Sequence, residues 1–325
     1  MEQRHLGRSG LRVSRMALGT MSWGVDTEPD EASGVLAAFV EAGGTLLDTA
    51  DVYGDGESER VLGGLLGEVV PRENVVIATK AVARRTEGPF GGGASRGALL
   101  AALDGSLKRL DVDHIDLWQL HAWDPSVPVE ETLAALDTAV TSGKVRYVGV
   151  SNYTGWQLGT AATWQKSVPG RTPIVCMQAE YSLLERGIER EVVPAAEAHG
   201  IGLLPWAPLG RGVLTGKYRG GTPADSRGAS QKFASYVEQH RTERAARIVE
   251  AVVTAAEGLG TSPLAVALAW VRDRPGVVAP VVGARDTVQL TGSLAAEELT
   301  LPTAIRAALD DVSGIELGYP ERRLG

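Results

Sequence analysis

The sequence predicts an α/β chain whose strands close into a (β/α)8 TIM barrel, preceded by an N-terminal β-hairpin and followed by extra C-terminal helices. Three observations carry this reading. Apolar patches of strand length alternate with Ala- and Leu-rich stretches of helical length, which implies parallel strands joined by crossovers. The alternation gives eight strands, and eight repeats favour closure of the sheet into a barrel. No boundary linker interrupts the series, so residues 1–325 read as one domain. An open doubly wound sheet is the alternative with the same local pattern.

Residues 4–13 hold two short segments around Gly7-Arg8-Ser9-Gly10, a hairpin signal. The strands are residues 15–19, 45–47, 75–79, 115–120, 145–150, 174–178, 202–205 and 278–282, apolar runs too short for helices. Residues 31–41, 95–110, 130–141 and 191–199 are helical, and Ser58 ahead of Val61, Leu62, Leu65 and Leu66 marks another helix with a polar start. Two connections depart from minimal units. Residues 82–94 (VARRTEGPFGGGA) read as a mobile Gly-rich loop beside the mouth, and residues 207–236 as a binding loop or lid, longer than the usual roughly 2–6 residues. Both come after strand C-termini, where barrel enzymes build their sites. Residues 244–259, 263–272 and 303–312 add helices, and the tail, residues 314–325, is expected to turn back toward the mouth.

Composition narrows the classes. The chain is 44% hydrophobic and 22% charged, with a formal charge of −8. That balance gives no reason to expect nucleic acid or an anionic membrane as partner, although local basic residues suit a small phosphate. Cys176 is the single cysteine, so no internal disulfide can form and a reducing cytoplasm fits. The start, MEQRHLGRSGLRV, has no apolar leader core. No run reaches the roughly 18 apolar residues of a membrane span, so a cytoplasmic protein is expected.

The chemistry gathers at strand ends. Residues 46–63, LLDTADVYGDGESERVLG, contain a strand end, a turn at Gly54-Asp55-Gly56 and a helix start. Asp48 ends the second strand and Tyr53 sits in its loop; Lys80 ends the third and His121 the fourth. Singly, each has a structural reading as a cap or a satisfied loop residue. In a barrel, however, strand ends converge on one face. A lysine there needs a partner for its charge, and Asp48 is the nearest candidate. Lysine beside a phenol favours the phenolate, so a lowered Tyr53 pKa is expected. Tyr53 then suits proton donation to a carbonyl oxygen, with His121 hydrogen-bonding the same oxygen.

Four segments, DTADVYGDGESERVLG, VVIATKA, SLKRLDVDHIDLWQLHAWD and GKVRYVGVSN, match in order and spacing the motifs of the aldo-keto reductase superfamily, which the sequence closely resembles over essentially its whole length. The resemblance implies a barrel that binds NADPH/NADP+ without a Rossmann domain, and the chain has no G-x-G-x-x-G. It carries the catalytic tetrad onto Asp48, Tyr53, Lys80 and His121, with Tyr53 as general acid, Lys80 and Asp48 tuning it, and His121 positioning the carbonyl. Ser151, Asn152 and Gln178 would hold the nicotinamide amide, Trp206 would stack on its ring, and Thr20 and Met21 would line the cofactor site. Residues 207–212 (APLGRG), including Ala207, Leu209, Gly210 and Arg211, would meet the pyrophosphate, with Lys217 adding charge. Gly283, Arg285 and Gln289 would sit near the 2′-phosphate, where a planar guanidinium favours NADPH over NADH. Where many relatives have asparagine in the next helix, this chain reads LTGSLAA, with Ser293 nearest.

Trp23, Phe90 and Trp123 are candidate walls of the substrate pocket and suit a small or medium carbonyl compound. The leading expectation is reduction of an aldehyde or ketone. Two alternatives stand beside it: a keto-sugar or nucleotide-sugar reductase, and an NADPH-binding, redox-sensing partner protein like the potassium-channel β-subunits. Nothing in the sequence indicates a metal site or sets the oligomeric state.

Overall fold

The computed structural model describes residues 1–84, 86–224, 226–230, 234–316 and 318–319. Strands β1 (Gln3–His5) and β2 (Arg12–Ser14) pair antiparallel as the expected hairpin. Gly7 lets the hairpin seat itself: its φ is +58°, and a Cβ there would lie 2.6 Å from the Val175 carbonyl oxygen. Leu6 and Val13, both fully buried, join Ala17, Leu46, Ala78 and Leu117 in the barrel interior. The hairpin therefore closes the N-terminal end of the barrel.

The barrel strands are β3 (Ala17–Gly19), β4 (Leu46–Asp48), β5 (Val76–Ala81), β6 (Ile115–Leu120), β7 (Val145–Ser151), β8 (Ile174–Glu180), β9 (Gly202–Trp206) and β10 (Val281–Gly283). They form one eight-stranded parallel sheet in the order β10-β3-β4-β5-β6-β7-β8-β9. Closure uses the residues just before β10: Leu203 donates to the Gly276 carbonyl and accepts from the Val278 amide, each at 2.9 Å. The expected eighth strand, residues 278–282, is thus split between two neighbours. Pro280, which has no N–H to offer a ladder, lies at the split. Several strands run one or two residues beyond their apolar runs, so that Asp48, Lys80, Ser151 and Trp206 belong to the sheet. Polar residues at a barrel mouth keep the pleat while leaving the hydrophobic pattern.

Between the strands lie α1 (Pro29–Glu41), α2 (Glu57–Leu65), α3 (Arg96–Leu110), α4 (Val129–Thr141), α5 (Gly155–Ser167) and α6 (Val192–His199). Their buried faces, such as Leu99, Leu103, Leu133 and Leu136, pack on the outward-facing Leu47, Ile77, Trp118 and Val148. Each such side chain contributes about 1.5–3 kcal/mol of burial. The long connection after β9 contains a short helix, α7 (Ala234–Glu238), and leads into α8 (Glu243–Leu259). The hydroxyl of Thr242 caps α8 by accepting from the Ala245 amide, an interaction worth about 1 kcal/mol. Then come α9 (Pro263–Arg272), α10 (Thr287–Leu294) and α11 (Thr303–Val312). Among the described residues no single helix is long and apolar enough to cross a membrane.

Arginines dock the end of α11 and the start of the tail. Arg186 donates to Asp310 O and Ser313 Oγ, Arg244 to Ser313 O, and Arg190 to Glu316 O. The described part of the tail thereby lies against the segment after β8. Residues 317 and 320–325 of the expected return lie outside the described residues.

Candidate active site

The pleat builds the site. In β4, β5, β6 and β8 the residues Leu46, Ala78, Leu117 and Cys176 fill the barrel interior. The residues two positions on, Asp48, Lys80, Gln119 and Gln178, share that face and form the next layer toward the mouth. All four are at most 3% exposed. Gly149 makes room for both layers, since a Cβ there would meet Cys176 Sγ at 2.2 Å and Gln119 Cγ at 3.3 Å.

Asp48 is the hub. Its Oδ2 accepts from Lys80 Nζ at 2.7 Å, and its Oδ1 from Gln178 Nε2 at 2.8 Å and Gln119 Nε2 at 3.3 Å. Lys80 Nζ also donates to Thr49 O at 2.8 Å and to the Tyr53 hydroxyl at 3.5 Å. Tyr53 reaches this position because Gly54 and Asp55 take left-handed φ of 57° and 56°, which turns the chain tightly into α2. His121 is held by its amide on Ala81 O at 2.8 Å and by Asn152 Nδ2 on its carbonyl at 3.0 Å. The Tyr53 and His121 rings meet edge to face, 5.9 Å between centroids. The structure thus gathers the phenol, ammonium, carboxylate and imidazole at one end of the barrel.

The electrostatics differ from expectation at Tyr53. Burial raises its pKa most; the opposing pull of Lys80 is smaller, and Asp48 adds a push in the same direction as burial. The expected net lowering is corrected to a net rise, which keeps the proton on the phenol. For Lys80, burial works against the charge, but Asp48 and Tyr53 outweigh it and the pKa rises. Burial, helped by the Lys80 charge, takes His121 down to about 3. Its Nδ1 is buried without a partner among the described residues. At neutral pH the set is a protonated phenol, an ammonium and a neutral imidazole.

Three residues that support the site are not among its sequence candidates, Ser58 having marked only a helix start. Gln119 shares the inward face of Leu117, and that alternation was its available signal. Ser58, 0% exposed, donates to Thr20 O at 2.7 Å and lies 2.7 Å from Thr20 Oγ1 and 3.0 Å from Thr49 Oγ1. Glu59, also 0% exposed, accepts from Thr79 Oγ1 at 2.6 Å and Arg109 Nε at 2.7 Å. Adjacent residues of α2 therefore tie together the ends of β3, β4 and β5. Arg109 lies on α3, so this bond has no local sequence signature.

The candidate cofactor residues ring the same mouth. Ser151 Oγ is buried and has no partner among the described residues, which suits a group that receives or offers one more hydrogen bond. Asn152 holds His121 O with its amide and accepts from Trp206 Nε1 at 3.0 Å, while Gln178 Nε2 is engaged by Asp48. Thr20 is fully buried on Ser58, and Met21 is exposed. After Ala207 (φ 49°) and Leu209, Gly210, Arg211 and Gly212 are consecutively left-handed at 53°, 57° and 90°. In this bend the Gly210 and Gly212 amides are already engaged, by Ala207 O at 2.8 Å and Leu209 O at 3.0 Å. Arg211 does not point its charge outward: it pairs with Glu180 at 3.0 Å and lies over the Trp206 and Tyr236 rings. Lys217 is exposed beside Tyr218. Gly283 is exposed at the end of β10, and the amide of half-buried Arg285 donates to Gln289 Oε1 at 3.2 Å. Asp286 caps α10 through the Gln289 amide, and Ser293 Oγ donates to Gln289 O. The unpartnered Ser151 hydroxyl fits the amide end of a dinucleotide.

The substrate-wall candidates separate. Trp23 is fully buried, Phe90 is 61% exposed, and Trp123 is half-buried. Phe90 lies over Gly97 at the start of α3, 2.4 Å from where a Cβ would stand. The Gly-rich loop is tied at its base, with the Gly93 amide on Val82 O at 2.7 Å and the Ala94 amide on Asp124 at 2.9 Å. No group of His, Cys, Asp and Glu suited to a metal ion occurs among the described residues.

Comparison with known proteins gives a consistent picture. The model of the Aldo/keto reductase family matches residues 15–313. An uncharacterized oxidoreductase of Bacillus subtilis (strain 168) is 38% identical over 323 residues, covering 96% of each chain. The L-glyceraldehyde 3-phosphate reductase of Escherichia coli (strain K12) is 33% identical, covering 95% of this chain and 92% of its own. The "Probable voltage-gated potassium channel subunit beta" of Oryza sativa subsp. japonica is 33% identical, covering 99% of this chain and 98% of its own.

Proposed function

The chain belongs to the Aldo/keto reductase family, and from that premise we propose that it reduces an aldehyde or ketone to the alcohol with NADPH. The observation that carries the proposal is Lys80 Nζ, 2.7 Å from Asp48 Oδ2 and 3.5 Å from the Tyr53 hydroxyl. When bound, NADPH supplies the hydride. The protein's part is the proton and the geometry. Tyr53 holds its proton and releases it to the carbonyl oxygen as negative charge develops there. Lys80 stabilises the resulting phenolate, and Asp48, with Gln119 and Gln178 on its second oxygen, fixes the ammonium. Neutral His121 donates a hydrogen bond to the same oxygen and orients the carbonyl.

Ser151, Asn152 and Gln178 would hold the cofactor amide and Trp206 its ring. Residues 207–212 and Lys217 would take the pyrophosphate, and Arg285 with Gln289 the 2′-phosphate. Screening aldehydes and ketones for NADPH oxidation tests the reading: turnover supports it, and inertness across both classes would count against it. The potassium-channel relative supplies a second reading, an NADPH-binding partner protein. Cofactor binding without turnover, together with co-purification of a membrane protein, would favour it.

A further inference from the structure

A row of residues crossing four strands leads into the Asp48 carboxylate from inside the barrel. Lys80 in β5 pairs in register with Gln119 in β6, Gln119 with Gly149 in β7, and Gly149 with Cys176 in β8. Residues paired in register across parallel strands share a face of the sheet, here the barrel interior. Gly149 has no side chain to part its two neighbours. They meet across it, and Cys176 Sγ donates to Gln119 Oε1 at 3.6 Å.

The thiol decides which way the Gln119 amide faces. Burial pushes the Cys176 thiol up, Asp48 adds to that push and Lys80 opposes it, so the sulfur keeps its proton and donates. A donor on one side takes the amide oxygen and turns the amide nitrogen to the other. There Gln119 Nε2 donates to Asp48 Oδ1 at 3.3 Å. Both ends of Gln119 are thus spent inside the barrel, and neither Gln119 nor Cys176 has exposed surface. Gln178 Nε2 reaches the same carboxylate oxygen at 2.8 Å, but in the reductase reading the Gln178 amide also serves the cofactor.

We infer that Gln119 is a positioning residue for the proton transfer, whose amide holds the Asp48 carboxylate with Oδ2 turned to Lys80 and so keeps the ammonium beside the Tyr53 hydroxyl. The inference rests on the carbonyl-reductase reading and adds a residue that acts through Asp48 rather than on the substrate. A carboxylate with a less firmly held Oδ1 turns about its own axis. Lys80 Nζ, 2.7 Å from Oδ2 and 3.5 Å from the phenol oxygen, then shifts with it, and small misplacements of this kind lower the rate of the chemical step.

The test is a double-mutant cycle of Gln119→Met, which keeps the length of the side chain and removes the donor, with Asp48→Asn. In Asp48→Asn the amide oxygen goes to Lys80 and an NH2 group faces Gln119, so the bond is already lost. Circular dichroism confirms that each variant is folded, and 4-nitrobenzaldehyde and propanal are reduced with NADPH. Gln119→Met alone should lower kcat about three- to ten-fold, with KM and the Kd for NADPH unchanged. Added to Asp48→Asn it should lower kcat less than about two-fold. Urea unfolding of the same four proteins needs no turnover and should be non-additive as well. An unchanged kcat in Gln119→Met overturns the inference. So does coupling in unfolding with additive effects on kcat, which makes the bond a structural one only. If wild type reduces neither aldehyde nor any other carbonyl compound of the screen, the reductase reading falls and takes the inference with it.

Discussion

Lys80 Nζ lies 2.7 Å from Asp48 Oδ2, and the lysine side chain has no exposed surface. Removing one partner of such a pair strands a charge in the interior, at a cost of about 3–5 kcal/mol, whereas replacing both with apolar groups can be neutral. Asp48→Leu alone should therefore destabilise strongly, and the double variant Asp48→Leu/Lys80→Met should recover most of the loss. Denaturant unfolding checks this. Equal destabilisation of the single and double variants would contradict a pairing role.

Acid should weaken the fold through His121. Burial and Lys80 hold its pKa at about 3 in the folded chain, against an ordinary 6.5. Between those values the unfolded chain binds a proton that the folded chain refuses, so stability rises with pH. The contribution is fully present above about pH 6.5 and is lost as pH falls toward 3. Melting temperatures of His121→Gln should accordingly decline less steeply across that window than those of wild type. Parallel slopes would count against a buried neutral imidazole.

Arg285 bears on cofactor choice. It precedes the Asp286 cap of α10, and its backbone amide donates to Gln289 Oε1. A charge-assisted hydrogen bond to a phosphate is worth about 1.5–3 kcal/mol. Arg285→Ala should raise the Kd for NADPH about ten- to hundred-fold and change that for NADH far less. Equal losses for the two cofactors, measured by fluorescence titration, would remove Arg285 from the 2′-phosphate site.

Ser58 joins Thr20 and Thr49 through a hydroxyl with no exposed surface. Thr49 in turn supplies a carbonyl to Lys80. Ser58→Ala leaves buried hydrogen-bonding groups without their partner, at about 1–3 kcal/mol. The urea midpoint should drop with an unchanged m-value. A midpoint equal to wild type would mean that the network relaxes around the gap.

The barrel and the four candidate catalytic residues were legible because their signals are local. An apolar run marks a strand, and the polar residue at its end marks the mouth, as at Asp48 and Lys80. The closure at Leu203 and Val277 was less legible, since Pro280 interrupts the run and hides which half pairs with which neighbour. Glu59 carries no signal in the sequence because Arg109, its partner, lies on another helix. The direction of the Tyr53 shift also needed three dimensions. Sequence suggests that a lysine is near but is silent on how much water the phenol loses. The folded chain shows that this loss dominates.

The most direct measurement is turnover and cofactor affinity of Tyr53→Phe, which removes one hydroxyl and keeps the ring against His121. Carbonyl reduction should fall about 100- to 10,000-fold with NADPH affinity retained. Turnover close to wild type, with the cofactor bound as before, would contradict the assignment of the proton to Tyr53.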